Sequence, residues 1–228
     1  MTDAPVTTFT VRFVNRIRQE ELVYLRGAVI NAIGADTILS HNHIGDELRY
    51  SYPLIQYKCI DGCAALVGVG AGVEHVERFL AVNPGKMRIG RRNEQFLITS
   101  AKKEQTQLDI TPEMHCYAIS RYLPLNQSNY EQYKQLDGVV ERCALIERCL
   151  IGNILSFAKS MGVFFDGQVN VSLQTVSNEH FYPFKNIKMM GFDAMFKTNV
   201  VLPQYVGLGM KVSFGYGTIT LVNNDKIR

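Results

Sequence analysis

The element order β-α-β-β-α-β, read twice along the chain, predicts an α+β fold of two tandem domains. Three observations carry it: strand alternation followed by a helical stripe at the start, a hairpin signal at Asp61-Gly62, and a restart of the pattern near residue 114. The 228 residues suit two small domains, since folded domains most often run about 100 to 150 residues.

TTFTVRFVN alternates polar and apolar residues, as a half-buried strand does. In QEELVYLRGAVINAIG, Leu22, Leu25, Val29 and Ile33 recur at helical spacing, Tyr24 and Asn31 fall opposite that stripe, and Gly34 is placed to end the helix. SHNHIGDELRYS then begins a loop. YPLIQYKCI and CAALVGVG read as strands joined at Asp61-Gly62, VEHVERFLAV as a short helix, and KMRIGRRNEQFLITSA as further strand. This is the order of a split βαβ, or ferredoxin-like (RRM-like), unit.

KKEQTQLDITPE lacks apolar periodicity and reads as a linker, which places the domains at 1–103 and 113–228. MHCYAISRYLPL restarts as a strand, and a tyrosine-rich loop leads to the longest helix. There Val139, Cys143, Ile146, Leu150, Ile154, Phe157 and Met161 form one apolar face. GQVNVSLQTV, FKNIKMMGFDAMFKTNVVL and YGTITLVN supply strands, with PQYVGLG as a short helix or turn.

A hydrophobic share of 46% and a charged share of 20% describe an ordinary folded protein. No apolar run reaches the roughly 18 to 20 residues of a membrane span, and MTDAPVTTFT lacks the layout of a signal peptide, so the expected location is the cytosol. The five cysteines form no CxxC pair, which predicts reduced, mostly buried thiols. A net charge of +3 permits a polyanionic partner without requiring one.

Two segments carry chemistry. The first puts His41 and His43 one residue apart, followed by Arg49, Tyr50, Tyr52, Tyr57 and Lys58. His41, His43 and Asp46 have no second cluster at metal-ligand spacing, so neither a metal nor a cofactor is expected, and His41-Asn42-His43 is too compact to be an HNH nuclease motif. The second is GLGMKVSFGYG, which spaces Gly207, Gly209, Gly215 and Gly217 as G-x-G, five residues, G-x-G, with Lys211 inside. That spacing does not match a dinucleotide fingerprint. Glycines let backbone N–H groups approach a phosphate, while a glycine-rich connection into the last strand is the plain structural alternative.

A C-terminal G-x-G-x5-G-x-G loop on two ferredoxin-like halves resembles the CRISPR-associated endoribonucleases of the RAMP superfamily, which cut repeat RNA. The likeness extends through YPLIQYK, RYLPLNQSNYEQYK and LIGNILS. In that family the catalytic histidine lies just after the first helix of the N-terminal half, where this chain has His41 and His43. The resemblance implies metal-independent cleavage by 2′-hydroxyl attack, leaving 2′,3′-cyclic phosphate and 5′-hydroxyl ends.

It further implies His43 as first choice for acid or base, His41 as its partner or as a substrate-positioning group, and Tyr50 and Lys58 as helpers. Gly207, Gly209, Lys211, Gly215 and Gly217, with Arg49, Arg91 and Arg92, would grip RNA, against the competing account of a solvated basic face. The implied partner is CRISPR repeat RNA in a prokaryotic cytoplasm, with other CRISPR-associated subunits or a second copy of the chain as open alternatives. A non-catalytic RAMP subunit that only holds RNA is the alternative reading.

Overall fold

The computed structural model describes residues 5–34, 52–82 and 85–222, with the backbone of the two-residue strands His43–Ile44 and Glu47–Leu48. These residues divide into two compact units, one of residues 5–106 with 213–215 and one of residues 107–212 with 216–222.

The N-terminal unit runs β1 (Val6–Arg16), a 3-10 turn (Gln19–Glu21), α1 (Leu22–Ile33), β2 (His43–Ile44), β3 (Glu47–Leu48), β4 (Ile55–Ile60), β5 (Cys63–Val69), α2 (Gly72–Val82), β6 (Lys86–Ile89), β7 (Arg92–Gln95) and β8 (Ile98–Thr106). Its main sheet has the order β4-β5-β1-β8, every neighbouring pair antiparallel, which is the ferredoxin-like arrangement. Phe9, Val11 and Phe13 of β1 point to one face, where Leu22, Leu25, Val29 and Ile33 of α1 and Val73, Val76 and Phe79 of α2 cover them. Each such side chain contributes about 1.5–3 kcal/mol on burial. Asp61 and Gly62 both take positive φ, 52° and 76°, between the paired residues Ile60 and Cys63, as the expected hairpin turn requires.

The segment expected as a linker is largely strand. Lys102 to Thr106 continue β8, paired with Thr10 to Val6 of β1, and the next strand starts at Ile110. The residues of β8 are mostly exposed along its length, so its sequence shows no apolar alternation to read. KMRIGRRN forms its own two-stranded hairpin, β6 with β7.

The C-terminal unit runs β9 (Ile110–Tyr122), α3 (Gln127–Gln135), α4 (Val139–Ser160), β10 (Val171–Val176), β11 (His180–Phe184), β12 (Ile187–Val200) and β13 (Thr218–Leu221). Its sheet order, β10-β12-β9-β13, repeats the permutation of the first unit, and β11 pairs with β12 as a hairpin. Where a second helix would stand, residues 201–217 hold only the 3-10 turn Val212–Phe214.

The tyrosine-rich loop contains α3, capped by the Asn126 side chain accepting from the Asn129 amide; only Tyr133 of this helix is buried, which leaves no stripe in the sequence. On α4 the buried stripe is Leu145, Ile146, Cys149, Leu150, Ile154, Phe157 and Ala158, whereas Val139 is 75% exposed and the expected apolar face does not extend to it. All five cysteines are free thiols.

Candidate nucleic-acid interface and catalytic loop

Helix α1 ends at Gly34, with φ +86°, and the chain next takes described structure at His43. His43 pairs with Leu48 and Ile44 with Glu47, so His43 sits on a short antiparallel hairpin. His41, Arg49 and Tyr50 lie outside the described residues.

Lys58 is described, and its setting corrects the expectation of an accessible cation. It lies in β4 opposite Ala65 of β5, with no solvent exposure. Strand alternation puts it on the same face as Gln56, away from the core face of Ile55 and Tyr57, and the register carries that face across β5 to Thr10 and Thr8 of β1. Burial lowers the Lys58 ammonium to about 7. That value suits proton transfer near neutrality, but a fully buried amine cannot reach a phosphate. Tyr52 accepts a hydrogen bond from Gln56 Nε2 at 2.9 Å, and Tyr57 is core, its hydroxyl pushed up by burial against a smaller opposing effect of Arg26.

A pH test follows from Lys58. Between about pH 7 and the ordinary lysine value of 10.5, the unfolded chain holds a proton that the folded chain does not. The burial cost is therefore complete below about pH 7 and is relieved as pH rises through that window. Lys58→Met is expected to flatten the rise of stability between pH 7 and 10. Urea unfolding at a series of pH values measures the effect.

The basic stretch divides by residue. Arg92 donates from Nη2 to Glu21 Oε1 at 2.9 Å and pairs through Nε with Glu94 at 3.0 Å, so it locks the β6–β7 hairpin to the turn before α1. Burial alone would push the Glu21 carboxyl up; hydrogen bonds from the Arg18 amide and side chain and the charge of Arg92 outweigh it and hold the group below its usual range. Arg92 thus serves the fold, although its side chain remains 52% exposed. Arg91 occupies the exposed turn and has no ion-pair partner among the described residues.

The glycine-rich segment is held by its own backbone. Gly207 bridges Thr218, Leu208 N donates to Gly217 O at 2.8 Å, Gly217 N donates to Arg121 O at 3.1 Å, and Met210 N donates to Leu123 O at 3.1 Å. Gly209, Gly215 and Gly217 all take positive φ. A Cβ on Gly217 would collide with the carbonyl oxygen of Leu208, and one on Gly209 would come within 2.8 Å of the Tyr122 ring. Within the N-terminal unit, Gln19 donates to Phe214 O at 2.5 Å and the Arg26 guanidinium lies 5.3 Å from the Phe214 ring centre. Lys211, itself at φ +58°, sets its ammonium 4.7 Å from the centre of Phe184 in β11.

That contact leads to a feature absent from the sequence reading. Tyr182 and Phe184 of β11 pack edge-on against Tyr216, with His180 beside Tyr182 and Phe181 exposed. Alternation along one strand is its only sequence trace. His115 hydrogen-bonds Thr111 at 2.9 Å, in keeping with a structural role. Among the described residues no group of three or more His, Cys, Asp or Glu could hold a metal ion, and no helix is long and apolar enough to cross a membrane.

Comparison with known proteins gives these features a common origin. The uncharacterized protein MJ0978 of Methanocaldococcus jannaschii is 36% identical over 105 residues, covering 46% of this chain and 69% of that protein. A crystal structure of Cas6b superposes with a TM-score of 0.86 at 28% identity, covering 95% of this chain and all of the other. One of a CRISPR RNA processing endoribonuclease Cas6b superposes with 0.74 at 27% identity, covering 95% and 99%. Residues 4–107 match the Cas6b N-terminal domain and residues 109–222 the Cas6b C-terminal domain. With both domain models matched in order along nearly its whole length, the chain belongs to the Cas6b family.

Proposed function

We propose that this chain is an endoribonuclease that cuts CRISPR repeat RNA to mature guide RNAs. The observation that carries this reading is the likeness, over 95% of the chain at 27% identity, to a protein described as a CRISPR RNA processing endoribonuclease. His43, on a hairpin soon after α1, supports it by supplying a proton carrier in the expected part of the N-terminal unit.

The substrate's own 2′-hydroxyl is the nucleophile. Its oxygen forms a bond to the adjacent phosphorus as the bond from phosphorus to the 5′-oxygen breaks. One proton leaves the 2′-oxygen, one reaches the departing 5′-oxygen, and the ends are a 2′,3′-cyclic phosphate and a 5′-hydroxyl. An imidazole suits either transfer, since its ordinary pKa of about 6.5 leaves both forms populated near neutrality. His43 carries one of these transfers, with His41 as its partner or as a positioning group and Tyr50 and Arg49 to orient and neutralise. Lys211 and Arg91 are the cations that serve RNA binding, with Gly207 to Gly217 presenting backbone to it.

The test is cleavage of the cognate repeat RNA in excess EDTA, beside a substrate carrying a 2′-deoxy sugar at the cut. Cleavage of the first to a cyclic phosphate, with the second intact, is the expected result. Loss of cutting in EDTA, or cutting of the deoxy substrate, would sink the mechanism. Intact RNA that remains bound in a salt-sensitive way would leave an RNA holder.

A further inference from the structure

A groove of about 580 Å³ runs along the outer face of α1 beside the β6–β7 hairpin, within the N-terminal unit. Tyr24, Asn31, Val82, Lys86, Arg88 and Gly90 are among its walls. Tyr24 and Asn31 are the residues of α1 opposite its buried stripe, so packing of the helix does not account for them.

Three features define what fits. The Tyr24 ring is half exposed, and its other side rests on Gly90, where an added Cβ would meet the ring at 3.4 Å. Gly90 takes φ +61° in the two-residue turn between Ile89 and Arg92, while Arg91 does not, the sign pattern of a type II′ turn. This turn props the ring with one face open. Second, Lys86 and Arg88 alternate on the exposed face of β6, and among the described lining residues there is no carboxylate. Third, Gly27 sits inside α1, where an added Cβ would meet nothing within 4 Å. A helix-interior glycine is unfavourable, and this one keeps the groove open rather than serving a close contact.

An aromatic face, two unopposed cations and an amide around a cavity of nucleotide size match one ligand chemistry. We propose that this groove is a subsite for an unpaired nucleotide of the RNA substrate, its base on Tyr24, its phosphates at Lys86 and Arg88, and its edge within reach of Asn31. The inference rests on the reading of the chain as an RNA-processing protein. It places RNA on a surface that the glycine-rich loop and the histidine hairpin do not include.

The experiment is fluorescence anisotropy of labelled repeat RNA, with its unpaired flanks, against the full chain across a salt series. Tyr24→Leu is expected to weaken binding about 5- to 150-fold, with Tyr24→Phe close to wild type. Gly27→Met, which fills the groove and removes a helix-interior glycine, weakens binding without lowering the unfolding temperature. Arg88→Gln makes the slope of log affinity against log salt shallower by about 0.7. Wild-type affinity in Tyr24→Leu and Gly27→Met, with an unchanged slope in Arg88→Gln, overturns the subsite; if those variants still cut RNA, the proposed function stands. Wild-type protein that neither binds nor cuts the repeat removes the function first, and the subsite with it. If Gly27→Met changes only self-association in sedimentation, the groove is a protein seat and the inference is wrong.

Discussion

His43→Ala is expected to slow single-turnover cleavage of repeat RNA in EDTA by about 10²- to 10⁴-fold while leaving RNA affinity within about threefold of wild type. The split matters more than the size. An imidazole that moves a proton in the transition state contributes to the chemical step, whereas grip on the RNA comes from cations and stacking elsewhere. Cleavage and binding lost together would mean that the hairpin of His43–Ile44 with Glu47–Leu48 holds substrate or structure rather than protons. His41 gives a second check. If the two histidines act as one proton-transfer unit, the double variant is about as slow as His43→Ala alone, because groups acting as a unit are not additive. A double variant slowed by the product of two separate losses would assign His41 an independent task.

The fold was legible wherever burial is one-sided and local. Leu22, Leu25, Val29 and Ile33 face a core on one side of α1, and the Asp61-Gly62 turn needs nothing beyond its own two φ angles. Legibility failed where a partner far along the chain decides the outcome. Arg92 looked like one of a cluster of surface cations, but its carboxylate partner, Glu21, is 71 residues away. Lys58 lies in a strand buried on both faces: Ile55, Gln56, Tyr57 and Lys58 alternate apolar and polar, as a half-exposed strand would, yet all four are inside. The second half of β8, from Lys102, and α3 were hidden for the opposite reason, being too exposed to print an apolar period. The candidate site divides the same way: its residue types were visible in two short strings, while the groove at Tyr24 exists only because β6 and β7 return to α1.

The glycine-rich segment offers the sharpest separation of folding from function. Gly217→Ala is expected to destabilise the protein by about 4 kcal/mol, a large share of the roughly 5–15 kcal/mol that holds a domain folded. A methyl group there meets the Leu208 carbonyl, and φ of +62° is costly for any residue with a Cβ. Relief by backbone movement would break the hydrogen bond from Leu208 N to Gly217 O or that from Gly217 N to Arg121 O. The first closes residues 207–217 on themselves and the second ties them to Arg121 of β9, at the point in the chain order where a second helix is expected. The chain has no tryptophan and 11 tyrosines, so urea unfolding followed by circular dichroism and tyrosine emission is the measurement. A large drop in midpoint, present without RNA, makes Gly217 a requirement of the fold, and RNA reaches a backbone that packing has already shaped. An unchanged midpoint with RNA binding abolished would mean instead that the missing side chain serves the phosphate directly.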